Sequence, residues 1–170
     1  MGHNDQGLAS SGERYRVVPR VLLFVRHRDD VLLLKGAPDK RIWANKFNGV
    51  GGHVEVDEDV FSAARREAAE ETGLTIEMLD LAAVVNIDAG DPGLGILMFV
   101  FVGWSDIRQT SESHEGALHW FPVDQLPKDE LVEDLKWLLP RVLGDRSAPL
   151  PLYLHYSYDS DDRLVIRPSE

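Results

Sequence analysis

Between Gly52 and Leu74 the chain reads GHVEVDEDVFSAARREAAEETGL. Gly52, Glu58, Arg66, Glu67, Glu70, Glu71 and Gly73 stand in it at the spacing G-x5-E-x7-R-E-x2-E-E-x-G. Glu67, Glu70 and Glu71 are related by i, i+3 and i+4, so on a helix they share one face. Three carboxylates on one face repel each other and weaken the helix that carries them. A hard cation such as Mg²⁺, which takes oxygen ligands, turns that liability into a binding site. A lone R-E-x-x-E-E is ordinary solvated surface, whereas the full pattern arises by accident on the order of once in a million chains at average residue abundances. Asp57 or Asp59 can cap the helix, which is predicted to run to about Thr72 with Gly73 as its stop.

Outward from this stretch, strands are predicted at Val17–Phe24 and Val31–Lys35, joined as a hairpin by a turn at Arg28–Asp30. Gly36 to Lys46 reads as a loop. FNGVGGHVEV, residues 47–56, alternates and holds three glycines, which predicts a strand whose backbone is closely approached. Leu81–Ile87 and Ile96–Trp104 read as strands joined by the turn DAGDPGLG. The polar loop RQTSESHEG and a short strand ALHWF, ended by Pro122, come next. Lys128 to Leu143 has helical periodicity, with Pro140 expected to kink or end it. The tail PLYLHYSYDSDDRLVIRP reads as a hairpin around Asp159–Asp162. Residues 1–14 are expected to be a flexible segment and 15–170 one α/β domain, a mixed sheet with helices packed on it.

The composition narrows the function classes. At 170 residues the chain is long enough to bury a substantial core, and its apolar and charged fractions, 44% and 28%, are those of an ordinary globular protein. It has no cysteine, so disulfides, thiolate metal sites and cysteine nucleophiles are excluded. With a net charge of −11 and no basic run, a nucleic-acid partner is not expected. No apolar run approaches the length of a membrane span, and the opening residues lack the apolar centre of a signal peptide, so no membrane partner and a cytoplasmic location are expected. An acidic protein handles a small phosphorylated molecule only if metal ions bridge the two. Monomer and homodimer are both compatible with the sequence.

The glycines and charged residues of Gly52–Leu74 resemble the box of the Nudix hydrolases, G-x5-E-x7-R-E-U-x-E-E-x-G-U, where U is a bulky aliphatic. Leu74 fills the last U; Ala68, on the stripe Val60–Ala64–Ala68, is smaller than usual and implies altered helix packing. The resemblance implies a Nudix α/β/α sandwich and hydrolysis of a phosphoanhydride in a nucleoside diphosphate derivative, with Mg²⁺ or Mn²⁺. Bound metal ions lower the pKa of a coordinated water and neutralise phosphoryl oxygens. It implies Glu67, Glu70 and Glu71 as metal ligands, Glu71 as a direct one, with Glu70 or Glu71 handling the proton of the water. The carbonyl of Gly51 and a loop acid, Glu115 with Glu112 as competitor, are further implied ligands. Arg66 is placed to pair with a box carboxylate, and Gly52, Glu58 and Gly73 support the motif.

Outside the box the chain is similar to the MutT-type branch that includes the oxidised-purine triphosphatases. FNGVGG resembles W-N-G-F-G-G and implies Asn48 as a base contact; HWFPVDQLP resembles W-F-x-L-D-Q-I-P. VEDLKW matches a segment with two adjacent acids, implying Glu133 and Asp134 at the purine edge, one protonated and one ionised. Leu131 and Phe47 stand where that branch has tryptophans, and Glu133 replaces an aspartate; Ile42 or Trp43 could line the same pocket. Lys35 is carried as a further substrate-binding candidate. A pyrophosphatase for ADP-ribose, a nucleotide sugar or a dinucleoside polyphosphate is the alternative substrate reading, and a non-catalytic nucleotide sensor is the alternative of another class.

Overall fold

The computed structural model describes residues 14–144, 149 and 151–169. Apart from Arg14, the expected flexible segment 1–14 lies outside them. In chain order the elements are β1 (Arg16–His27), β2 (Asp30–Gly36), β3 (Phe47–Asn48), α1 (Val60–Thr72), β4 (Met78–Asp91), β5 (Leu94–Trp104), β6 (Gly116–Pro122), a 3₁₀ turn at Val123–Gln125, α2 (Leu135–Leu143), β7 (Leu152–Tyr158) and β8 (Leu164–Pro168). The strands form one mixed sheet in the order β3-β2-β1-β5-β4-β7-β8, with β6 along the other edge of β2. β1 runs parallel to β5 and β4 parallel to β7, while β1–β2, β2–β6, β4–β5 and β7–β8 are antiparallel.

β1 shows why the sheet is covered on both faces. Val21, Leu23 and Val25 pack with Ala63, Ala64 and Ala68 of α1, whereas Leu22 and Phe24 pack with Leu135, Leu138 and Leu139 of α2. A strand buried on both sides must be apolar at consecutive positions, as VLLFV is. Leu23, Phe24 and Val25 are fully buried, each contributing roughly 2 kcal/mol by loss of apolar surface to water. Ala68, where a larger residue is usual, is also fully buried; its small side chain seats α1 close to β1 and β2. The result is the α/β/α sandwich expected from the box.

The sheet forks where β1 and β2 diverge. They pair only through Val25–Leu32, Arg26–Val31 and His27–Asp30. The segment 47–53 fills the gap: Phe47 and Asn48 pair with β2, and single bridges join Val50 to Leu23 and His53 to Arg20 of β1. The predicted strand over 47–56 is therefore corrected to Phe47–Asn48 alone. Its residues divide their hydrogen bonds between two strands and form no continuous ladder.

The predicted helix over 128–143 is also corrected, since α2 begins only at Leu135. Phe47 N–H donates to the Glu130 carbonyl (2.8 Å) and Val132 N–H to the Phe47 carbonyl (3.0 Å), so this backbone is committed across to β3. Pro140 does not end α2, which runs on to Leu143; Arg141 Nη1 donates to the Trp137 carbonyl at 2.7 Å in that last turn. β4 and β5 extend through most of the predicted turn 88–95, leaving Pro92 and Gly93 at its tip. The C-terminal hairpin forms as expected and completes the sheet beside β4. Among the described residues no helix is long and apolar enough to cross a membrane.

Candidate active site

α1 is fixed at both ends by its own sequence. Asp59 Oδ1 accepts from the N–H groups of Phe61 (2.8 Å) and Ser62 (3.1 Å), satisfying two donors that the first turn leaves free. At the other end Gly73 adopts a left-handed φ of 73° and donates its N–H to the Ala69 carbonyl at 2.9 Å, a conformation glycine takes without strain. Between these caps the box acids are carried along one side of the helix.

Arg66 organises that side. Its Nε and Nη2 grip the two oxygens of Glu58 at 3.1 and 2.7 Å. Nη1 donates to Glu67 Oε1 (2.9 Å) and Glu70 Oε2 (3.1 Å), and Nη2 also donates to the His53 carbonyl (3.0 Å). All five guanidinium donors are thereby engaged with Glu58, Glu67, Glu70 and the His53 carbonyl. The same contact holds Glu58 below the ordinary carboxylate range, helped by the Glu55 N–H. One oxygen each of Glu67 and Glu70 remains outside these bonds.

Glu71 is different. It is 7% exposed, and its Oε2 accepts from the Gly51 N–H at 3.1 Å. Burial pushes its carboxyl up to about 7; the Gly51 N–H opposes this, the charges of Glu115 and Glu67 add to it, and Lys40 counteracts them. Gly51 and Gly52 are required by close approach. A Cβ on Gly51 would lie 2.9 Å from the Val21 carbonyl carbon, and one on Gly52 would lie 2.6 Å from the Glu67 carboxyl carbon. The glycine segment thus lies against the box, with Glu67 over Gly52 and Glu71 under Gly51.

The structure brings Gly51, Gly52, Glu58, Arg66, Glu67, Glu70 and Glu71 together, and places Glu115 within electrostatic reach of Glu71. Glu115 is ion-paired with Lys40, a residue of the 36–46 loop that sequence reasoning missed because only the tertiary fold brings it to the acids. Among the described residues no three Asp, Glu or His side chains converge tightly enough to enclose an ion; the Glu70 side chain is 60% exposed and turned to Arg66. The donors themselves suit a hard divalent cation: all are oxygens, and a buried carboxylate with two like charges nearby calls for a positive partner.

The other candidates lie apart from the box. Asn48 Oδ1 accepts from the Gly49 N–H (2.8 Å), leaving its amide NH₂ to donate. Lys35 Nζ is bonded to Glu130 Oε2 at 2.6 Å and lies over the Phe47 ring. Asp134, half-buried, immediately precedes α2 but makes no capping hydrogen bond; Glu133 beside it is exposed. Burial first, and Glu133 as a minor cause, raise the Asp134 carboxyl to about 6. No hydrogen bond or ion pair joins Asp134 to Asn48 or to the box among the described residues. Leu131 is buried, whereas Ile42 and Trp43 are exposed.

A curled mixed sheet thus lies between two helices, with a glycine segment pressed on an acid-bearing helix. The chain belongs to the Nudix family, whose NUDIX domain model matches residues 15–142; family members are hydrolases that generally use divalent metals and act on small nucleotides. It is 32% identical over 136 residues to the oxidized purine nucleoside triphosphate hydrolase of Mus musculus, covering 78% of this chain and 83% of that one. The protein of the same name from Danio rerio is 34% identical over 108 residues, 62% of this chain and 68% of that one. Among solved structures, the mutator MutT protein of Bacillus halodurans superposes with a TM-score of 0.74 at 24% identity, covering 89% of this chain and 97% of that one. A MutT protein from Methanosarcina mazei gives 0.64 at 26%, covering 78% and 96%.

Proposed function

We propose that the protein is a Mg²⁺-dependent hydrolase that cleaves a purine nucleoside triphosphate, including one with an oxidised base, to monophosphate and pyrophosphate. The observation that carries this reading is Glu71: a buried carboxylate crowded by Glu67 and Glu115, tied to the Gly51 N–H and raised to about 7. Glu67, Glu70, Glu71, Glu115 and the Gly51 carbonyl are the groups that would hold the ion. Once bound, Mg²⁺ supplies a water of lowered pKa and charge neutralisation for the phosphates. Arg66 keeps Glu67 and Glu70 oriented. Glu70 and Glu71 are both candidates to take the proton of that water. Mn²⁺ can take the same all-oxygen ligands.

The substrate half of the proposal is supported by the named activity of the two relatives and by the donors and acceptors at Asn48, Glu133 and Asp134. With a carboxyl near 6, Asp134 carries a proton for part of the time at neutral pH and can donate to a base acceptor while Glu133 accepts from a base N–H. Lys35, held by Glu130, is proposed to stiffen the wall around Phe47. A panel of 8-oxo-dGTP, 2-oxo-dATP, dGTP and ADP-ribose with Mg²⁺ tests the reading. Pyrophosphate release from a purine triphosphate is expected, and Glu71→Gln should reduce it by orders of magnitude. Undiminished release by the variant, or cleavage of ADP-ribose alone, would discard it.

A further inference from the structure

The hydroxyl of Tyr156, Nε of Arg20 and Nε of Arg26 are buried and have no hydrogen-bond partner among the described residues. Arg26 is otherwise engaged, through Nη1 to the Leu143 carbonyl at 3.2 Å. Tyr156 has no other polar side-chain atom, and the residue is 3% exposed. A buried hydroxyl without a partner is unusual, because such groups normally find one.

The fold fixes where this hydroxyl lies. Tyr156 is in register with Ile87 of β4 and Ile166 of β8, and with Leu154 it belongs to the core that α2 covers. Arg20, in the neighbouring row of the same face, is in register with Met98. Asp134, just ahead of α2, makes no side-chain cap hydrogen bond; its carboxyl interacts with the N–H groups of Asp134 and Leu135, and its charge acts on the hydroxyls of both Tyr156 and Tyr158. Glu133 and Asp162 also act on Tyr158. Tyr156 packs in the core with Leu135 at the start of α2, and Asp134 lies within electrostatic reach of its hydroxyl with no hydrogen bond between them among the described residues. Burial, then the Asp134 charge, holds the Tyr156 hydroxyl in its protonated, donating form.

We propose that Tyr156 is a specificity-determining residue of the base subsite, its hydroxyl donating to an acceptor on the substrate base while Asp134 engages the neighbouring position of the same edge. This rests on the functional reading above. It adds the C-terminal hairpin to the site, although β7 lies beyond the residues 15–142 that the NUDIX model matches.

Tyr156→Phe in the full chain removes one oxygen and keeps the ring. Titration calorimetry with 8-oxo-dGMP reads the base contact without turnover. The variant is expected to bind about ten-fold more weakly, the scale of one lost hydrogen bond. Its KM for 8-oxo-dGTP should rise by the same factor, with kcat within about two-fold and an unchanged fold by circular dichroism. Equal affinity and KM in parent and variant overturn the inference while leaving the hydrolase reading intact. A parent that neither binds nor cleaves any nucleotide overturns that reading, and this inference with it. Should Tyr156→Phe fail to fold, Asp134→Asn on the opposite side of the pair must weaken 8-oxo-dGMP, and unchanged binding there is the refutation.

Discussion

Glu71 sets a conflict between stability and activity that can be measured. Its folded-state carboxyl stands near 7 against an ordinary 4.5, chiefly because it is buried. The folded protein thus binds the proton more tightly than the unfolded chain. Below pH 4.5 both states are protonated and nothing is lost; as pH rises through 4.5 to 7 the metal-free fold is progressively weakened, by up to about 3 kcal/mol. Asp134, raised from 3.8 to about 6 by burial, acts with the same sign over a lower window. Glutamine cannot ionise, so metal-free Glu71→Gln is expected to be more stable than the parent by about 2 kcal/mol at pH 8 and equal to it at pH 4. Thermal melts in chelator at the two pH values check this; a variant that is no more stable at pH 8 contradicts the assignment. A divalent ion reverses the parent's loss, because only the ionised carboxylate ligates.

The helix that carries the box owes its start to one side chain. Asp59→Ala frees the Phe61 and Ser62 N–H groups and is expected to cost about 1 kcal/mol, read as a lower denaturant midpoint at unchanged slope. A cost near zero would mean that water caps α1 as well as Asp59 does. This element was legible in the sequence because its determinants are local: cap, acidic face, small-residue stripe and terminal glycine lie within one short stretch. Elements with distant determinants were not. Leu131, Val132 and Leu135 fit helical spacing, but the backbone before Glu133 is taken by Phe47, far away in sequence. Residues 47–56 alternate like a strand, yet no single neighbour is available to all of them. The site follows the same rule. The i, i+3, i+4 acids declared themselves, whereas Lys40 and Tyr156 meet acids only through tertiary folding, although alternation in LYLHYSY does put Tyr156 inward with Leu154.

At the scale of the molecule, one sheet serves two cores and the chain uses both helices to seal them. The acidic box sits at the fork between β1 and β2, where 47–53 borrows partners from each. Freeing that ribbon breaks Leu23 N–H to Val50 (2.7 Å), Val50 N–H to Leu23 (3.1 Å) and Val21 N–H to Gly52 (2.9 Å), besides its bonds to β2 and to residues 130–132. It therefore has no opening of its own. In deuterated buffer the Val50 and Leu23 amides are expected to exchange together, as slowly as amides of central β1 that report global unfolding. Faster exchange at Val50 alone would expose a separately melting unit. Seen on the clock of amide exchange, the glycine floor is a permanent fixture that lasts as long as the fold.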